Sequence, residues 1–313
     1  MGSSIARVRT AGEEAPLFAL FGHLDEIGLI VTHVDDNGIL FFRGLGGWTA
    51  EVLVGQPSRS SRAEAGFRAS SRRNGTCGGA RRRRRSRCDT SISTSGLTTA
   101  TTRLRPCASA IPPCWPRPPV SLLNGRLMSR ALDNRLGAYI ALEVARRVAA
   151  AGDARCNVAA AATVQEEVGD LMGARTTAFA LRPDLAIAVD VTGGTDVPGG
   201  EPGEQGEQRL GAGASLLRGP GGDPRIFELL RDTAEAEGIR WCVEVTQGRS
   251  HTDADAVQLS RAGIRTSVVS IPTRYLHTPG EIVDTGDVEA CVALLTAFAR
   301  RIDPSEWQPV PGR

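Results

Sequence analysis

The residues best suited to chemistry are concentrated in Thr163-Val-Gln-Glu-Glu-Val-Gly169, where two glutamates follow an apolar run, 156–163, of strand length. Adjacent carboxylates at the end of a buried strand are unfavourable unless something positive holds them, and a pair of divalent cations would do that. From an extended backbone, Glu166 and Glu167 point opposite ways, so one could grip a metal while the other reaches a water. Further candidate ligands stand at comparable places. His23 and Asp190 each follow an apolar strand, Asp133 opens a helix, and His277 follows a strand at 265–271. Two imidazoles and three carboxylates (His23, His277, Asp133, Glu167 and Asp190) suit two Zn²⁺, Co²⁺ or Mn²⁺ ions. Two metals bridged by one carboxylate form a hydrolytic clamp that activates water and polarises a carbonyl.

The elements that must position these residues follow from periodicity. Pro16-Leu-Phe-Ala-Leu-Phe21 reads as a strand ending at His23; 29–33 and 39–42 read as a hairpin with its turn at Asp35-Asp-Asn-Gly38. Residues 133–148 form a long amphipathic helix, apolar at 136, 140, 144 and 148, with Asp133 at its start. Strand 156–164, helix 173–181 and strand 184–189 follow, then a glycine-rich stretch, 192–222, read as loop. Helix 224–238, strand 241–246, helix 253–262, strand 265–271 and helix 285–302 complete the alternation. Such alternation predicts an α/β fold, a mixed sheet sandwiched by helices. In open α/β sheets function collects at the carboxyl ends of strands, which lets these separated residues converge.

Composition narrows the function classes. No run of 18 apolar residues predicts a membrane span, and the N-terminal residues lack the apolar centre of a signal peptide, so the cytoplasm is the expected compartment. The seven cysteines include no CxxC pair; Cys156, Cys242 and Cys291 read as core fillers, and no disulfide framework is expected. Residues 55–119 hold 14 arginines, five of them in a row from Arg81, against Glu64 and Asp89 alone. The rest of the chain keeps 23 of the 37 arginines and 33 of the 35 acids, a net charge of about −10 that argues against nucleic acid as partner. With stray Cys, Pro pairs and no hydrophobic period, 55–119 reads less as a basic arm or a disordered insert than as an out-of-frame stretch of a GC-rich gene.

The blocks Gly22-His-Leu-Asp-Glu-Ile-Gly28, Gly44-Leu-Gly-Gly-Trp48, Arg130-Ala-Leu-Asp-Asn-Arg135, Val164-Gln-Glu-Glu-Val-Gly169, 183–190 and Pro272-Thr-Arg-Tyr-Leu-His-Thr-Pro279 occur in this order. Together they resemble the dinuclear-metal aminopeptidases that include glutamyl, deblocking and tetrahedral aminopeptidases, some members of which carry the name endoglucanase or cellulase. The resemblance covers about 1–53 and 120–302. It implies a zinc-exopeptidase-like catalytic domain from 1–53 and 120–313, with a small β-barrel-like dimerisation domain inserted at 54–119, where the sequence is scrambled. It further implies that Asp133 bridges two metals, Zn or Co, with His23 and Asp190 completing one site and Glu167 and His277 the other. Glu166 would be the general base and proton donor to the leaving amine, and Asp25 would orient His23. Asp253 falls in a segment resembling one near the family's substrate, with a helix N-cap as the plainer reading. His33 and His251 are read as surface or structural histidines, and the Gly219–Gly222 run as loop.

The family carries a further helix and strand before the point corresponding to Met1, which suggests a misplaced start. Peptides are the expected substrates, with assemblies from dimer to dodecamer the expected partners. Two other functions compete: a non-catalytic product of a damaged gene, and a glycoside hydrolase using one of the two glutamates, which would explain neither histidine.

Overall fold

Apolar residues of the central strands sort into two cores. Phe18, Leu20, Val158, Ala160, Ile187 and Val189 join one cluster, while their sequence neighbours Ala19, Phe21, Ala159, Ala161 and Ala186 join another. Successive strand side chains point to opposite faces, so both faces are covered; that is why these strands read as unbroken apolar runs. The computed structural model describes residues 2–34, 40–48, 50–53, 57–58, 69–72, 90–93, 110–111 and 118–307.

In chain order the elements begin with β1 (Ser4–Val8), β2 (Leu17–His23), β3 (Gly28–Val34), β4 (Leu40–Leu45) and a single turn, α1 (Ala50–Leu53). Short strands β5 (Pro57–Ser58), β6 (Ala69–Arg72), β7 (Thr90–Ser93), β8 (Ala110–Ile111), β9 (Val120–Ser121) and β10 (Arg126–Ser129) follow. Next come α2 (Leu132–Ala151), β11 (Asn157–Thr163), α3 (Met172–Leu181), β12 (Leu185–Gly193), α4 (Pro202–Gln205), β13 (Ala214–Arg218) and α5 (Pro224–Ala236). The last elements are β14 (Trp241–Val245), α6 (Ala254–Val257), β15 (Arg265–Arg274), β16 (Glu281–Asp284) and α7 (Thr285–Arg301).

Contacts divide the chain into two units. The first, residues 1–25, 120–276 and 281–313, holds a ten-stranded mixed sheet in the order β1-β11-β2-β12-β15-β16-β10-β9, with β13 and β14 branching from β15. β11, β2, β12 and β15 are parallel; β1, β13 and β16 are antiparallel to their neighbours on this core. Helices α2, α5 and α7 pack on one face, α3 and α6 on the other. The expected helix-flanked mixed sheet is therefore present. The stretch read as loop, 192–222, contains β13, whose Ala214–Leu217 segment is buried. The helix expected over 253–262 is a single turn, α6, after which the chain folds through further turns towards β15.

The second unit, residues 26–119 and 277–280, has a six-stranded sheet, β5-β6-β7-β4-β3-β8. β3 and β4 pair antiparallel as the hairpin pattern predicts, though the turn at 35–38 lies outside the described residues. Leu29, Phe42 and Leu53 form its small core, and the Trp48 indole donates to the Gly28 carbonyl at 2.9 Å. Residues 26–53, assigned from sequence to the catalytic domain, group with this unit. Apart from its short strands and its last two residues, the stretch 55–119 read as out of frame lies outside the described residues, as do Cys77, Cys88, Cys107 and Cys114.

Candidate metal centre

His23 is the last residue of β2, register-paired with Thr163, the last residue of β11, so the two strand ends deliver His23 and the Glu166-Glu167 segment to one place. Asp190 lies on β12, on the other side of β2. Asp133 arrives from α2, because the helix can approach the sheet closely: a Cβ on Gly22 would fall 2.3 Å from the Gly137 carbonyl carbon, and one on Gly137 would fall 2.2 Å from the Val189 oxygen. Only glycine permits that approach.

Asp133 and Asn134 depart from helical backbone angles, and the sequence reading of Asp133 as the helix start needs refinement. The Asn134 side chain accepts from the Gly137 N–H at 2.8 Å, as a cap does, and donates to the Val189 carbonyl at 2.7 Å. Capping by Asn134 releases the Asp133 carboxylate towards His23, whose Nε2 lies 3.1 Å from Asp133 Oδ1.

The glutamates do not sit on an extended strand. Gln165 adopts a left-handed backbone (φ 61°), and residues 166–170 form a bend and turn. The Asp25 carboxylate accepts both amides, Glu166 N–H and Glu167 N–H, each at 3.1 Å. The pair is thus presented by a clamped turn rather than by strand alternation. His23 Nδ1 lies 3.0 Å from the Asp25 main-chain oxygen and 3.6 Å from its carboxylate, so Asp25 meets both the imidazole and the glutamate turn.

Two sets of donors converge closely enough to share a cation: His23, Glu166 and Asp190, and His23, Asp133 and Glu167. His23 Nε2 is 3.7 Å from Glu166 Oε2 and 3.9 Å from Asp190 Oδ1. Burial pushes the Glu166 carboxyl up to about 8; His23 opposes this, while Asp253, Glu167 and Asp133 reinforce it. Burial likewise raises Asp190 well above the carboxylate range, against the pull of His23. For His23 burial acts downward, but the Asp133 hydrogen bond and the charges of Asp190, Asp133 and Glu166 prevail and raise it well above its usual value. Burial thus disfavours the ionised carboxylates of Glu166 and Asp190, which a dication would favour, and nitrogen with carboxylate oxygen is a donor set that Zn²⁺ and Co²⁺ accept.

His277 belongs to the second unit, where the Gly44–Trp48 block makes room for it: a Cβ on Gly47 would fall 2.4 Å from its Nδ1. Asp253 is buried, but its carboxylate does not cap α6; Thr163 Oγ1 donates to its Oδ2, and its Oδ1 has no hydrogen-bond partner among the described residues. His33 and His251 are exposed, the former tilted on Phe41. Cys156, Cys242 and Cys291 are free, two of them buried, as core fillers would be. Three residues of the centre escaped sequence reasoning: Asn134, Thr163 and Glu281. Glu281 opens β16, is 3% exposed, and accepts the Asp133 N–H at 3.1 Å. An acid leading a short apolar pair, Glu281-Ile-Val-Asp284, was the available signal.

A helix-flanked mixed sheet with buried nitrogen and carboxylate donors near its strand ends fits a metal-dependent enzyme. The chain matches the M42 glutamyl aminopeptidase family over residues 2–67 and 112–294, and it belongs to that family of metallo-aminopeptidases. Lysyl aminopeptidase of Pyrococcus furiosus is 29% identical, over 99% of this chain and 88% of its own. An aminopeptidase structure from the archaeon Desulfurococcus kamchatkensis superposes with a TM-score of 0.83 at 28% identity, covering 100% of this chain and 86% of that one. The Pyrococcus horikoshii TET1 peptidase, which can assemble into a tetrahedron or a large octahedral shell, gives 0.76 at 26%, covering 96% and 88%.

Proposed function

We propose that this protein removes N-terminal residues from peptides, with two divalent metals held by His23, Asp133, Glu167, Asp190 and His277. The observation that carries the reading is the convergence of Asp133, Glu166, Glu167 and Asp190 on His23, a donor cluster able to hold a cation; the second metal is carried by the family alone. Asp133 would be one of the ligands, since Asn134 takes over the capping that would otherwise occupy its carboxylate. His277 enters through its sequence block alone. When bound, the metals would lower the pKa of water and polarise the scissile carbonyl.

The chain's own residues supply the rest. Glu166 is the general base: its carboxylate lies 3.7 Å from His23 Nε2, within the donor cluster, where, once ionised, it could take a proton from the attacking water and return it to the leaving amine. Asp25 fixes where that carboxylate points by holding the Glu166 and Glu167 amides, and it fixes the imidazole tautomer through its main-chain oxygen. A glycoside hydrolase would need two carboxylates and no imidazole among them, which this arrangement does not favour.

The test is elemental analysis of the purified chain after Co²⁺ or Zn²⁺ loading, paired with hydrolysis of peptides bearing free or blocked N-termini. About two metals per chain, reduced in Asp133→Ala and His277→Ala, with turnover of free N-termini only, is expected. A folded chain that binds no metal refutes the reading. Self-assembly like that of the TET1 peptidase is part of the proposal, and light scattering on the purified protein measures it.

A further inference from the structure

We propose that Glu281 is a positioning residue for the metal centre: its carboxylate holds the main chain at Asp133 and so sets where the Asp133 carboxylate stands. The inference rests on the assignment of Asp133 as a metal ligand. β16 runs antiparallel to β10 with Glu281 opposite Ser129, so the register places Glu281 beside the segment that leads from β10 into α2. From there Glu281 Oε2 accepts the Asp133 N–H at 3.1 Å, in a contact where both residues are buried.

That N–H needs an acceptor. It lies at the amino end of α2, where backbone donors have no intrahelical partner, and Asp133 and Asn134 lie outside helical geometry. Asn134 fixes the downstream side of the irregular pair through Gly137 and Val189, and Glu281 fixes the upstream side. The Asp133 carboxylate projects from between two anchored points. Freed from one of them, it would keep its chemistry but lose its place, and metal affinity depends on place: removing such outer partners lowers it by roughly 10–100-fold.

The hydrogen bond, rather than the charge, is what the proposal requires, and two conservative variants separate them. Glu281→Gln keeps an acceptor oxygen at the same reach and removes the charge; Glu281→Asp keeps the charge and withdraws it by one methylene. Each metal-free variant is titrated with Co²⁺ while visible absorption and bound metal by equilibrium dialysis are followed, with near-ultraviolet circular dichroism as a check on folding and Asp133→Ala as control. Glu281→Gln is expected to stay within about 3-fold of the parent in affinity with the same spectrum, and Glu281→Asp to weaken at least one Co²⁺ by about 10-fold or more with a changed spectrum. Parental behaviour of Glu281→Asp, or a Glu281→Gln as impaired as Glu281→Asp, overturns the proposal. Failure of Asp133→Ala to lose metal would instead refute the ligand assignment on which it rests.

Discussion

Glu166 and Glu167 are chemically identical neighbours presented by one turn, whose two amides the Asp25 carboxylate holds. In the metal-free site burial lifts the Glu166 carboxyl to about 8, His23 opposing and Asp253, Glu167 and Asp133 adding to it; its place 3.7 Å from His23 Nε2 suits a group that exchanges a proton with water. Glu166→Gln is therefore expected to lower kcat by about 10²–10⁴-fold while bound metal is retained, read by peptide hydrolysis alongside elemental analysis. Loss of metal in step with activity would reassign Glu166 as a ligand. Asp253 gives a residue-level test of stability. Burial raises its carboxyl from 3.8 to about 6, against the Thr163 hydrogen bond, so the metal-free fold favours the protonated acid. The stability this contributes is fully present below about 4 and is lost as pH rises through about 6, a loss of up to about 3 kcal/mol. Melting of metal-free protein between pH 4 and 7 should show that decline, and Asp253→Asn should flatten it; an unchanged slope would place the titration elsewhere.

At the scale of elements, the centre exists because α2 lies nearly against the backbone of β2 and β12. Gly22 and Gly137 make this possible, and Gly22→Ala forces a methyl into main-chain atoms that no side-chain rotation can clear. A stability loss of about 1–3 kcal/mol is expected, together with weakened metal binding, since the same displacement separates Asp133 from His23. A melting temperature and metal content equal to the parent's would show that α2 can shift without harm. The same elements explain what the sequence could reveal. His23, the Glu166-Glu167 pair and Asp190 were legible because each follows or punctuates an apolar run whose two-faced burial leaves no ambiguity of type. Asn134 was not, because Asp133 is equally good as a cap and only the close passage of Val189 decides between them. Glu281 was not, because its partner lies 148 residues away and becomes its partner only through the β10–β16 register. β13 was hidden by its glycine-rich approach, although the segment itself, Ala214-Ser-Leu-Leu-Arg218, has a strand's composition.

Across the whole molecule, the buried acids tie folding to protons and metal together. In the metal-free protein, burial favours the protonated carboxyls of Glu166 and Asp190, so the fold tends to retain protons that the unfolded chain has already released by neutral pH. For raised acids the stability gained is present at low pH and lost as pH climbs through the folded value, here towards about 8 for Glu166. A dication reverses this dependence, because it favours the deprotonated carboxylates and binds only the folded arrangement. Metal should therefore displace protons on binding, and calorimetry in buffers of different ionisation enthalpy should report their release at pH 7. The stabilisation by metal should also grow with pH: at metal concentrations about 100-fold over the dissociation constant it amounts to about 2.7 kcal/mol, and the constant itself tightens as competing protons leave. Melting with chelator or with Co²⁺ at pH 6 and pH 8 measures this. A wider gap at pH 8 is expected, whereas an equal gap with no proton release would mean that the acids around His23 are already ionised and that something other than metal keeps them so.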